Sequence, residues 1–209
     1  SPAFRELFGI TSEEQAKNLG IVQMNQVFED KNGSGATVTV KEAAADQEQF
    51  YILVEFAAPE GTVLPEPDQV EEGFNRAVLW GGPDGRGIGF GAYRDESCTS
   101  FIGSSEAGYA IDYVEDSDPT DNKMEFIIRG HIDPMPKDAA YCLFSGIQSL
   151  CMQYQGEWVT MLDGMDIDLI VPLVGMGTHY DFQGRCGVNL NGVTLAVAEN
   201  LTISPISVS

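Results

Sequence analysis

After Gly20 apolar and polar residues alternate along the chain. Segments 23–28 and 36–43 flank Asp30-Lys31-Asn32-Gly33-Ser34-Gly35, where the Asn-Gly step accepts the positive φ of a tight hairpin turn. In the return strand Val38 and Val40 share one face, and Thr37, Thr39 and Lys41 take the other. Phe50, Ile52, Val54 and Phe56 then alternate with Tyr51, Leu53 and Glu55, which predicts a strand with one core face and one partly covered face. Further strands are expected at 77–80, 87–94, 124–132, 141–152, 157–162, 167–173, 193–199 and 201–208. Ile88, Phe90 and Ala92 alternate with glycines, so that strand should pack closely against another backbone. Residues 58–74 read as loop, because Pro59, Pro65 and Pro67 exclude regular structure.

The first residues follow a different period. Phe4, Leu7 and Phe8 fall on one side of a short helical stretch. A second helix should begin near Thr11 or Ser12, since Thr11-x-x-Glu14 and Ser12-x-x-Gln15 both fit a capping box, and should end at Gly20. About ten short strands separated by Gly, Pro, Asp and Asn turns, with no sustained helical period after residue 20, predict an all-β fold. The expected architecture is a β-sandwich, immunoglobulin-like or related, over 21–209, preceded by a helical segment over 1–20. A subdivision near 134–136, at Pro134-Met135-Pro136, stays open.

Charge narrows the partners. With 32 Asp and Glu against 11 Lys and Arg, the formal charge is -21. Such a chain is repelled by nucleic acid and by anionic bilayer surfaces, whose recognition depends on Lys and Arg. Four cysteines occur, Cys98, Cys142, Cys151 and Cys186, with no CxxC pair to suggest zinc. Two disulfides, with Cys142 and Cys151 the favoured partners if the intervening segment folds back, and four free thiols are both compatible with the spacing.

Candidate chemistry is sparse. His131 and His179 are the only two histidines, and nucleophilic catalysis by Ser or Cys needs one beside the nucleophile. His131 belongs to an alternating strand, and His179 lies in a turn-like segment that could line a cleft. The glycine run 85–91 lacks the strand-then-helix context and the Lys-Ser/Thr of a nucleotide loop. Asp163, Asp166 and Asp168 bracket a strand start near Trp158 and provide the carboxylates a glycoside hydrolase would need. The run 115–122 places several hard oxygen ligands together, so Asp116, Asp118 and Asp121 are the candidate calcium ligands. This is no EF-hand, because Thr120 and Asp121 replace the pattern's Asp and Gly and Ile127 stands where its Glu should be. Two sequons, Asn32-Gly33-Ser34 and Asn200-Leu201-Thr202, complete the motifs. Taken together, the inventory predicts no enzyme. Trp80, Trp158, seven tyrosines and an acidic, exported character fit a carbohydrate- or cell-wall-binding module instead.

The opening residues carry a resemblance. Ser1-Pro2-Ala3-Phe4, then Gly20-Ile21-Val22-x-x-Asn25-Gln26, then Ala36-Thr37-Val38-Thr39-Val40-Lys41-Glu42 is similar to the DUF4179 family of Gram-positive bacteria. Tyr51-Ile52-Leu53-Val54-Glu55-Phe56, Pro59-Glu60-Gly61-Thr62 and the closing Leu201-Thr202-Ile203-Ser204-Pro205-Ile206-Ser207-Val208 extend it. The resemblance implies a single-pass membrane protein with this β-rich part on the extracellular face of the cell membrane, anchored by a helix before Ser1. It also implies an anti-sigma-factor-like role, with a sigma factor met only by a cytoplasmic part that these residues do not include. No catalytic residue comes with it. The expectation is therefore a sensor or interaction domain tied to envelope-stress signalling, with a protein or cell-wall ligand.

Overall fold

The alternating pattern becomes antiparallel sheet in the computed structural model, which describes residues 1–209 except 47, 65–78, 81–88, 106, 115–117, 119, 133–135, 155–156, 163–164, 166, 174–177, 191–192 and 204–209. Two short helices come first, α1 (Pro2–Leu7) and α2 (Glu13–Asn18). The strands that follow among the described residues are β1 (Val22–Glu29), β2 (Thr37–Ala45), β3 (Gln49–Ala57), β4 (Leu79–Trp80), β5 (Gly89–Tyr93), β6 (Phe101–Ser105) and β7 (Ala107–Val114). The second half adds β8 (Lys123–Ile132), β9 (Tyr141–Ile147), β10 (Leu150–Tyr154), β11 (Glu157–Leu162), β12 (Ile167–Pro172), β13 (Thr178–Leu190) and β14 (Val193–Ile203). They form a five-stranded sheet β1-β2-β3-β8-β7, a four-stranded sheet β12-β9-β5-β6, a three-stranded sheet β11-β10-β4 and the hairpin β13-β14. All named strand pairs are antiparallel, and a parallel bridge, Ala45 to Leu173, links the end of β2 to the residue after β12.

The inner faces of the five- and four-stranded sheets share one core. Val38, Val40, Phe50, Ile52, Val54, Phe56, Phe126 and Ile128 come from the first, and Phe90, Ala92, Cys142, Phe144, Leu169 and Val171 from the second. At its centre Phe90 and Phe144 meet edge to face at 4.3 Å, with Phe50 5.3 and 5.1 Å from them. Each such ring contributes about 1.5–3 kcal/mol by leaving water. Leu150, Met152 and Leu162 carry the same core into the three-stranded sheet.

The outer face of the five-stranded sheet is covered at one end by the helical segment. Phe4, 1% exposed, packs on Ala44, Leu53 and Ile127, and Phe8 stands edge-on to Phe4 and Tyr51. A bulge between Val40 and Glu42 makes this possible, because it returns Glu42 and Ala44 to the outer side while Ala43 and Ala45 join the core. Small alanines leave room for the helix. Glu42, 3% exposed, then receives hydrogen bonds from the backbone nitrogen and hydroxyl of Ser1 and from Gln23 Nε2 at 2.6 Å. Burial opposes its charge, but the bonds from Ser1 and Gln23 outweigh it and hold the carboxyl below the usual range. In α2 the Ser12–Gln15 capping box forms as its spacing predicts, although that helix buries no side chain.

Several expectations need correction. The run 141–152 is two strands on two sheets: Gly146 at φ 89° sits at an irregularity within β9, Ile147 still pairs with Ile167, and the chain passes to the other sheet through 148–149 before β10 begins. The run 193–208 is continuous as β14 through Ile203, and β6, β7 and β13 were not anticipated. In β7, Tyr109, Ile111 and Tyr113 alternate with Gly108, Ala110 and Asp112, but two small residues blur the pattern. His179 lies in β13, not in a turn. The proposed boundary at 134–136 falls mostly outside the described residues.

Candidate functional site

The outer face of the four-stranded sheet presents aromatic side chains in register. Tyr93 on β5 pairs with Tyr141 on β9 and with Phe101 on β6, and Tyr141 pairs with Pro172 on β12. Strand alternation sends Phe90, Ala92, Cys142, Phe144, Leu169 and Val171 inward, so Tyr93, Tyr141, Leu143, Ile170 and Pro172 face out, half-buried. Every strand of the sheet thus contributes one member to the row Pro172, Tyr141, Tyr93, Phe101. Phe101 is 58% exposed and meets Tyr93 at 5.5 Å in a T-shaped contact. Beside the row the floor is glycine. A Cβ on Gly91 would lie 2.9 Å from the Tyr93 ring, so that ring lies down over the sheet.

Polar groups sit where β5 ends. Arg94 donates from Nε at 2.8 Å and Nη2 at 2.5 Å to Asp138, and the two side chains are 54% and 55% exposed. The Arg94 hydrogen bond holds the Asp138 carboxyl below its ordinary range. The loop between β5 and β6 is wound around Asp95, which accepts from the Ser97 hydroxyl, the Thr99 amide and hydroxyl, and the Ser100 amide. These bonds, the Ser97 hydroxyl first, keep Asp95 well below the carboxylate range, and Cys98 takes a left-handed φ of 52° within the loop. Phe101 is therefore presented from a fixed turn. The arrangement offers exposed ring surface on the outer face of the sheet.

A concavity of about 530 Å³ lies on the outer face of the five-stranded sheet. Gln49, Tyr51, Arg129 and His131 line it over Gly108 and Gly130. The His131 ring lies on Gly108, where a Cβ would come within 2.5 Å of it. Tyr51 donates to Gln49 Oε1 at 3.1 Å and Arg129 pairs with Asp112. Its described lining holds no Ser, Cys, Asp or Glu side chain to act with His131.

The residues singled out from sequence are scattered. Asp118 Oδ1 accepts from the Thr120 amide and hydroxyl, Asp121 Oδ1 accepts from the Lys123 amide, and Asp116 lies outside the described residues. These carboxylates close a turn. No group of three or more His, Cys, Asp or Glu side chains suited to a metal occurs among the described residues. Asp168 is exposed on β12, while Asp163 and Asp166 lie outside the described residues. Cys98, Cys142 and Cys151 are free thiols, so the Cys142–Cys151 pairing is not formed; the two residues occupy different sheets. The side chains of Trp80, Trp158, His179 and Cys186 lie outside the described residues. The aromatic row escaped sequence reasoning because its members sit far apart in the chain, and one of them is on an unanticipated strand. Their outward parity opposite Cys142, Phe144 and Ala92 was the available signal. No helix among the described residues is long and apolar enough to cross a membrane. In comparisons with known proteins, no family model, no curated protein and no solved structure matches this chain.

Proposed function

We propose that this chain is a non-catalytic, extracytoplasmic interaction domain of a membrane-anchored bacterial protein, and that its contact surface is the aromatic face of the four-stranded sheet. The observation that carries the reading is the row Pro172, Tyr141, Tyr93, Phe101, with one ring 58% exposed and its loop held by Asp95. Aromatic residues on a rigid surface bind by stacking and desolvation at low entropic cost. In fold terms we read a β-sandwich related to the immunoglobulin-like class, supported by two antiparallel sheets whose inner faces meet in one core. The net charge of -21 favours a soluble, displayed domain. The likeness of the opening residues to DUF4179 proteins supports an anchor before Ser1 and a link to sigma-factor signalling.

The test is co-sedimentation with purified Gram-positive cell envelopes. Phe101→Ala should weaken binding about tenfold or more, as loss of an aromatic anchor does. Val27→Ala, at a 60% exposed position on the other large sheet, should leave binding intact. Envelope binding that is absent, or indifferent to Phe101→Ala, would refute the reading.

A further inference from the structure

We infer that the concavity on the outer face of the five-stranded sheet binds a small carboxylate-bearing ligand, at a site separate from the aromatic face. Register sets its polar lining. Gln49 on β3 stands opposite His131 on β8, which stands opposite Gly108 on β7, and one row on Tyr51, Arg129 and Ala110 repeat the arrangement. Side chains directly opposite one another are about 5 Å apart and diagonal ones about 7–8 Å. Gln49, His131 and Arg129 are therefore within reach of one small group. The two β7 positions carry almost no side chain, which leaves a space of about 530 Å³, a usual size for a small-ligand site.

The hydrogen-bonding sense of the lining is one-sided. Tyr51 donates its hydroxyl to Gln49 Oε1 at 3.1 Å, which fixes the amide and leaves Nε2 as the donor. Arg129 is held through Nε by Asp112, which is not part of the lining. Among the described residues its terminal nitrogens, Nη1 and Nη2, make no hydrogen bond. His131 lies on Gly108 and offers a ring N–H whatever its protonation state.

Converging donors select a group that only accepts. A carboxylate does so, and its two coplanar oxygens match the planar edge of the guanidinium while Gln49 and His131 address the remaining lone pairs. A sugar hydroxyl or an amide would bring donors that this lining does not answer. Phosphate also accepts only, but Arg129 is the one formally charged side chain of the described lining, on a chain carrying -21. A dianion meets more repulsion there than a single carboxylate does. The Tyr51 ring, met edge-on by Phe8 at 5.0 Å, gives the rest of the ligand a fixed apolar wall.

The experiment is a heteronuclear NMR titration of the whole chain with acetate, acetyl-alanyl-alanine, the C-terminal amide of that dipeptide, and inorganic phosphate. Saturable shifts are expected at the amides of Gln49, Gly108, Gly130 and His131 with a carboxylate probe, and none with the amide. Arg129→Gln should raise the Kd about tenfold or more, and Arg129→Lys severalfold, because Lys keeps the charge without the planar fork. Lys123→Gln removes an equally exposed cation from the same strand, 51% against 52%, and should leave the Kd unchanged. The comparison of acid with amide needs no variant, so it stands should Arg129→Gln fold poorly. Acetate binding as tightly as the dipeptide assigns the bare group, and a tighter dipeptide assigns a peptide end. No saturation by either carboxylate, an equal response to the amide, tighter binding of phosphate, indifference to Arg129→Gln, or an equal loss in Lys123→Gln overturns the inference.

Discussion

Phe144→Ala would remove the ring that touches both Phe90 and Phe50 and so weaken the contact between the two large sheets, leaving the Phe50–Phe90 pair at 5.3 Å. Phe144 is fully buried, so its loss combines transfer free energy with a cavity, about 3–5 kcal/mol. A domain of this kind has about 5–15 kcal/mol in total. With a urea slope of about 2 kcal/mol/M, the midpoint should fall by about 2 M. The milder pair Phe50→Leu and Phe144→Leu tests the geometry more sharply. Rings 5.1 Å apart at 79° interact edge to face, and such pairs are worth about 0.5–1.5 kcal/mol beyond burial. A double-mutant cycle, followed by tryptophan fluorescence and far-UV circular dichroism, should return that coupling in one cooperative transition. Coupling below about 0.3 kcal/mol, which is within the scatter of independent sites, would refute the shared core. So would two separate transitions.

Two further outcomes follow from close contacts and burial. Gly130→Ala places a Cβ 2.2 Å from the Gly108 carbonyl and 2.6 Å from the Phe50 ring, neither of which can retreat, whereas Gly103→Ala meets Pro136 only at 3.4 Å. The first should cost about 1–3 kcal/mol or more in chemical denaturation and the second little; equal effects would contradict the packing described. Burial, with Cys98 adding to it, pushes the Cys142 thiol up to about 12, so it stays protonated through the range where free thiols ionise, near about 8.5. Iodoacetamide should therefore modify Cys98 and Cys151 in the folded protein and Cys142 only after denaturation, as mass spectrometry would report. Native labelling of Cys142 at the rate of Cys151 would be inconsistent with its burial.

Local rules in the sequence were sufficient for single elements. Strict alternation marked β3, Asn32-Gly33 marked the β1–β2 turn, and Ser12 with Gln15 marked the start of α2. What failed was non-local. Residues 141–152 read as one apolar run, because nothing local distinguishes a strand that stays in its sheet from one that leaves it after Ile147. Burial on both faces of β2 was hidden by a bulge, which places Lys41 toward Glu55 and Glu125 while Glu42 reaches Ser1. The aromatic row depends on which strands become neighbours, and pairings such as Tyr93 with Tyr141 follow from closing the sheet, not from either strand alone. The acidic run near Asp118 and Asp121 was conspicuous by composition, but its carboxylates serve backbone and hydroxyl donors of their own turn.

The contact of Ser1 with Glu42 has a mechanical consequence. The Ser1 hydroxyl is bonded to the buried Glu42 carboxylate of β2, and Phe4, three residues on, is packed against the same sheet. A tug or rotation applied at Ser1 therefore reaches β2 and its neighbours as a rigid-body torque. Unwinding α1 from that side means giving up the Ser1–Glu42 bond and the Phe4 packing as well.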